Sequence, residues 1–305
     1  MYHILNLIRW KNLLMIALVQ VLIKYALLVP FGVITALNGF GFSLLVLATL
    51  CIAAAGNIIN DIYDVETDLV NKPNQVIVGK TISEKKANNL FIAFNVIGVG
   101  LGFYVSNLVG KNGFFAIFVI ISALLYVYAS YLKQILVIGN IVISILVALS
   151  IIIVGLFELL PVITPENQTV QLTYFKIILD YALFAFLINL VRELAKDIED
   201  IDGDHKAGMN TLPIAIGRDR ASKVLFALSL MPLFAVVYYM ITYLYKQPIA
   251  IGYFLIFVVA PLIYIAIKSF NAETKKDVRH ISKILKLVML LGMLSLLLFP
   301  FILKA

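Results

Sequence analysis

A chain of 305 residues with 62% apolar and only 13% charged side chains, at a mean hydropathy of +1.02, cannot be a water-soluble globule, in which about a quarter of residues are charged. The net charge of +7 comes from 24 basic and 17 acidic residues, and their placement excludes a nucleic-acid reading because they follow membrane topology. One cysteine, Cys51, sits inside an apolar run, so no disulfide framework exists.

Apolar runs long enough to cross about 30 Å of hydrocarbon recur at 13–36, 41–62, 89–109, 114–132, 136–160, 173–195, 222–245, 249–268 and 284–303. They predict an all-α polytopic membrane protein of nine transmembrane helices. The whole of 1–305 forms one membrane-embedded domain with no soluble appendage. The first run is long and no small-residue cleavage site follows it, so it reads as a span and not as a cleaved leader. With the N-terminus cytoplasmic, the inward segments hold 19 of the 24 basic residues, and the other five are Lys24, Lys111, Lys176, Lys246 and Lys304. That asymmetry is the positive-inside rule. The basic excess therefore reflects topology, anionic lipid and an anionic substrate.

Two cytoplasmic stretches, 57–68 and 193–204, carry ten of the acidic residues. Asn57, Asp61, Asp64 and Asp68 step by four, three and four, and Glu193, Asp197, Asp200 and Asp204 repeat the same steps. On a helix such offsets fall within an arc of about 60°. Each stretch thus predicts a stripe of carboxylates at the end of an apolar helix, where unpaired acids repel and lose hydration. A hard divalent cation such as Mg²⁺, shared with phosphate oxygens, removes that cost. A polar loop follows each stripe, at 68–89 and 202–223, and each loop leads into another span. This order suggests an internal duplication, with the stripes facing one another across a shared cavity.

Other polar residues carry less signal. His3, His205 and His280 are isolated and read as solvated, with no zinc spacing. Tyr126 and Tyr128, beside Ser130 and Lys133, read equally as packing or as cavity lining. Lys24 inside the first span has a functional reading and a snorkelling one. The outward segment 158–171 reads as an ordinary connection. No GxSxG, HExxH or Walker-type loop is present.

The segment NIINDIYDVETDLVNKPNQVIVGKTIS resembles the NDxxDxxxD signature of the UbiA superfamily of intramembrane prenyltransferases. RELAKDIEDIDGDHKAGMNTLPIAIG is similar to that superfamily's second Asp-rich motif, LIRWKNLLMIALVQ to its first helix, and YASYLKQILVIGN to its fourth-to-fifth helix turn. These matches cover the first six spans in order. The resemblance implies nine helices around a central cavity capped by cytoplasmic loops, with the active site on the cytoplasmic side of the cell (inner) membrane. It also implies Mg²⁺-dependent transfer of a prenyl group from an isoprenyl diphosphate. Carried onto this chain, Asn57, Asp61, Asp64 and Asp68 hold one metal, and Asp197, Asp200 and Asp204 the other. Arg9 and Lys133 contact the diphosphate, and Tyr128 and Glu193 also contact substrate.

The second motif looks closest to the subgroup that prenylates geranylgeranylglyceryl phosphate, which implies a geranylgeranyl donor and a lipid-type glycerophosphate acceptor. An aromatic quinone precursor is the alternative acceptor. A cation-coupled transporter is the non-enzyme alternative, although transporter sites sit near the bilayer midplane and these acids lie at helix ends. A CDP-alcohol phosphotransferase needs a DG…AR segment that this chain lacks. One departure from the family pattern falls in the first cap loop, where Asn74, Gln75, Val76, Ile77, Val78 and Gly79 stand in place of the usual NRPIPSG.

Overall fold

The computed structural model describes residues 2–302, and among these residues nine helical spans are long and apolar enough to cross a membrane. Lys304 and the last residue of the 284–303 run lie outside the described residues. A short helix α1 (Tyr2–Leu7) precedes α2 (Trp10–Leu22), which continues to Phe31 and forms the first span. Then follow α3 (Gly39–Tyr63), α4 (Val65–Asn71), α5 (Glu84–Leu108), α6 (Phe115–Ser130), α7 (Ile138–Glu158) and α8 (Gln168–Lys206). The chain ends with α9 (Leu212–Ile216), α10 (Arg218–Tyr239), α11 (Pro248–Phe254), α12 (Ala260–Phe270), α13 (Lys275–Leu294) and α14 (Phe299–Ile302). A π-helical segment, Leu255–Val259, joins α11 and α12 into one span.

Local chemistry sets where these helices begin. The side chain of Asn38 accepts from Gly41 N (2.8 Å) at the start of α3, which satisfies one of the free amides there. Ser83 caps α5, and Thr274 with Asp277 forms a capping box at α13. Gly32, at φ +65°, takes the left-handed conformation that ends the first span.

The 39-residue α8 is the hub, packing against α7, α10, α13 and α4. One apolar core, including Leu27, Leu45, Phe157 and Ile178, joins α2, α3, α7 and α8. A second, including Val191, Leu225, Leu262 and Ile281, joins α8, α10, α12 and α13. A third, smaller core packs Val78 and Ile82 of the first cap loop on Leu7, Ile58 and Ala87, holding that loop against the bundle end. A two-residue parallel pairing, Ile135↔Asn210 and Leu136↔Thr211, ties the turn before α7 to the segment after α8. Four segments thus gather at one end of the bundle: α1, α4 with its loop, the 131–137 turn, and the chain following α8.

The opposite end corrects two sequence expectations. Lys24 does not snorkel: it is 3% exposed, and its Nζ donates to Glu158 Oε1 and to Leu37 O, both at 2.6 Å. Glu158, taken as the start of an ordinary connection, is fully buried, and its Oε2 accepts from Leu37 N (3.1 Å). The pair pins the 33–38 loop onto the end of α7. Cutting one partner from a buried pair strands the other charge, at a cost of about 3–5 kcal/mol, whereas replacing both with apolar groups is often neutral. Lys24→Met should therefore lower stability in detergent by about that amount. Adding Glu158→Met should recover most of it, as read by thermal unfolding.

Candidate active site

The end that gathers the four segments encloses a cavity of about 990 Å³. Its wall carries Asn57, Asp61, Asp64 and Asp68 from α3 and α4, and Glu193, Asp197, Asp200 and Asp204 from α8. Arg9, Tyr128 and Lys133 line the same space, so each sequence-derived site residue reaches one cavity. Deeper in, the lining turns apolar with Ile52, Phe118, Leu146 and Ile153. Tyr126 separates from Tyr128: it is exposed, and its hydroxyl lies 3.2 Å from that of Tyr63.

The two stripes are built differently. The second lies on one continuous helix. The first bends at Asp64 (φ −91°, ψ 3°), where α3 gives way to α4. Bonds from Asp64 N to Asn60 O and from Asp68 N to Asp64 O span the bend and keep the carboxylates on one side.

Cations of the protein itself hold four of these acids. Arg9 Nη2 lies 2.6 Å from Asp61 Oδ1, Lys133 Nζ 2.5 Å from Asp64 Oδ1, and Lys72 Nζ 2.6 Å from Asp200 Oδ2. Asn60 donates to the other oxygen of Asp64 (2.5 Å), and Asn140 donates to Asp197 (2.7 Å). Glu193 sits between Arg192 (3.2 Å) and Lys196 (2.6 Å). Asn57 donates its amide to Ile8 O (3.0 Å), fixing the start of α2. The side-chain carboxylates of Asp68 and Asp204 make no hydrogen bond or ion pair among the described residues. Two further acids of the second stretch face away, Glu199 to Arg279 and Asp202 to Lys275.

Backbone geometry places the cations. Arg9 adopts φ +52°, an uncommon conformation for a non-glycine residue, at the break between α1 and α2. Its contact with Asp61 holds the guanidinium above its ordinary pKa. Gly139 permits the Lys133 turn, because a Cβ there would lie 2.7 Å from Lys133 Cα. Gly203 does the same for the cap: a Cβ would collide with Asn71, whose side chain bonds Asp200 O (2.8 Å) and Gly203 N (3.0 Å). Asn71 and Lys72 thereby strap the first cap loop to α8. Burial alone would lower the Lys72 ammonium, but Asp200 more than offsets it and the pKa is raised. Sequence reading missed Lys72, Asn140 and Asn71. Lys72 is one of four lysines in a polar stretch, and spacing does not distinguish it from the others.

The model of the UbiA prenyltransferase family matches residues 13–289. The chain belongs to that family. It is 32% identical to a digeranylgeranylglyceryl phosphate synthase of Methanosphaera stadtmanae over 258 residues, covering 82% of this chain and 86% of that one. A synthase of the same name from Korarchaeum cryptofilum is also 32% identical, over 253 residues and 81% of each chain. Among solved structures, a UbiA homologue from Aeropyrum pernix superposes with a TM-score of 0.68 at 12% identity, over 93% of this chain and 96% of that one. A UbiA homologue from Archaeoglobus fulgidus bound to DMAPP and Mg²⁺ gives 0.55 at 20%, over 96% and 98%. The fold is thus that of a multi-pass UbiA prenyltransferase.

The donor chemistry of this prenyltransferase's cavity suits a hard cation, since the carboxylates and Asn57 offer oxygen ligands only. Among the described residues no three acids converge to form a complete cage. Mg²⁺ does not require one, because it commonly takes one or two carboxylates and fills its shell with water and substrate phosphate. The Asp68 carboxylate, with no hydrogen-bond or ion-pair partner among the described residues, shows the unmet demand: burial, and then the nearby Asp64, push it up to about 6 against the pull of Lys72. Ionising Asp68 therefore costs the metal-free protein stability that is lost as pH rises from about 4 to about 6. A proton held below that pH must leave before a cation can use the group. Mg²⁺ should accordingly raise Tm more at pH 7 than at pH 5, and Asp68→Asn should shrink the difference. Equal shifts in the unsubstituted protein would remove Asp68 from the cation site.

Proposed function

We propose that this prenyltransferase moves a geranylgeranyl-type group from its diphosphate to the free hydroxyl of a glyceryl phosphate ether lipid. The observation that carries this reading is one cavity with an acid-rich mouth and an apolar interior, in a chain whose relatives carry the name digeranylgeranylglyceryl phosphate synthase. Asn57, Asp61, Asp64 and Asp68 serve one Mg²⁺ and Asp197, Asp200 and Asp204 a second. The bound metal neutralises the charge that collects on the leaving diphosphate.

The chain's own residues do the rest. Arg9, Lys133 and Lys72, each held at one of these acids, supply the cationic contacts to the diphosphate oxygens. The allylic C–O bond then breaks with both electrons leaving on the diphosphate. The acceptor hydroxyl oxygen forms the new ether bond, and its proton passes to the departing diphosphate. Ile52, Phe118, Leu146 and Ile153 keep water from capturing the allylic cation. Tyr128 and Glu193 contact substrate from the cavity wall.

Asp64→Ala or Asp200→Ala should each lower turnover by at least a hundredfold in protein that still purifies folded. The assay follows radiolabelled geranylgeranyl diphosphate into lipid product with Mg²⁺ present. Near-normal turnover in either variant would overturn the two-metal assignment.

The basic asymmetry supports a cytoplasmic active site in the cell membrane. In a chain with Cys51→Ser, cysteines placed at Ser83 and Ala207 should react with impermeant maleimide only from the cytoplasmic side, and one at Gln168 only from outside. The reverse pattern would invert the orientation.

A further inference from the structure

Three cations that the foregoing reading does not use line the same cavity: Arg192 and Lys196 on α8 and Lys286 on α13. Arg192 and Lys196, four residues apart, share a helix face. That face lies about 90° around α8 from Asp197, Asp200 and Asp204, and Arg192 is roughly 7 Å further along the helix from the acid-rich end than Asp197. The cluster therefore adjoins the acidic stripe without being part of it.

Its charge is unbalanced. Arg192 and Lys196 both spend their contacts on the single carboxylate of Glu193, while among the described residues Lys286 Nζ donates only to the neutral Asn12 (2.6 Å). In direct contacts three cations meet one carboxylate, an excess of two, in a space walled by apolar helices; Asp197 and Asp200 act on Lys196 from further off, and Lys286 feels Arg192, Lys11 and Arg9. The Nε of Arg192 is buried with no hydrogen-bond partner among the described residues. Like charges and an orphaned donor in a weakly polarisable setting are costly unless an anion joins them. Arg9, Lys133 and Lys72 already stand at Asp61, Asp64 and Asp200, where the diphosphate belongs, whereas the second set pairs only with Glu193 and so faces a different anion.

We infer that Arg192, Lys196 and Lys286 hold the phosphate monoester of the acceptor lipid, and that they set the enzyme's preference for a phosphorylated acceptor. The inference rests on the glyceryl phosphate reading given above. A phosphate monoester carries about −1.5 to −2 at pH 7, which matches the excess of two. Arg192 offers a planar fork and the two lysines point charges, a usual combination for phosphate oxygens. Binding there places the acceptor's head beside the stripe and leaves its hydroxyl free to face the donor.

The test uses purified enzyme in nanodiscs with Mg²⁺ and geranylgeranyl diphosphate, and compares geranylgeranylglyceryl phosphate with the unphosphorylated geranylgeranylglycerol. Lys286→Gln and Arg192→Gln should each raise the KM for the phosphorylated acceptor at least tenfold and leave the donor KM within twofold. The preference over the neutral alcohol should collapse, and Lys286→Arg should retain it. A donor KM that rises in step would assign the cluster to the diphosphate and overturn the inference, as would an unchanged preference. A calorimetric arm reads binding without turnover: a short-chain glyceryl ether phosphate should bind the unsubstituted protein and bind Lys286→Gln at least tenfold more weakly. If the unsubstituted enzyme prenylates no glyceryl phosphate, the functional reading fails, and the calorimetric arm alone decides the cluster. No binding to the unsubstituted protein would then overturn it.

Discussion

Carboxylates at the end of apolar helices must be neutralised, and the organisation of the whole active end follows from how this chain does so. Asp61, Asp64 and Asp200 each take a cation from a different segment: Arg9 from the α1–α2 break, Lys133 from the turn before α7, and Lys72 from the first cap loop. Each pair joins pieces of chain that are far apart in sequence, so neutralising the acids also assembles the cap. None of these pairs is fully buried, which keeps them exchangeable.

The other end of the bundle resolves the same electrostatic problem differently. Lys24 and Glu158 are sealed from solvent and saturate one another with help from the backbone of Leu37. That pair closes the loop over the end of the first core and is a fixed structural clamp. The contrast is one of access: a pair at the cavity mouth can exchange partners, whereas a pair with no path to water or ligand cannot.

Between the ends, α8 links packing to chemistry. Its apolar residues, Val191, Leu194 and Ile198 among them, face the second core, while its polar faces carry the carboxylate stripe and the Arg192–Lys196 pair. One rigid helix thus presents a carboxylate stripe and a pair of cations at a set angle and spacing. Gly203 lets the cap loop approach this helix closely enough for Asn71 to bond its backbone.

Much of this was legible in the residues themselves. Hydropathy marks the nine spans because hydrocarbon demands long uninterrupted apolar helices. The four-three-four spacing marks both stripes because helical periodicity is local, and the repeated order of stripe, loop and span suggests the cavity that both line. The partners of those acids are another matter. That Lys72 rather than Lys80 reaches Asp200, that Lys24 meets Glu158 across the bundle, and that Asn140 supports Asp197 depend on which loops and helices pack together. A lone lysine in a polar loop or an apolar span has no periodic signature. Its charge partner comes from a distant part of the chain, and only the tertiary structure decides which one stands within reach.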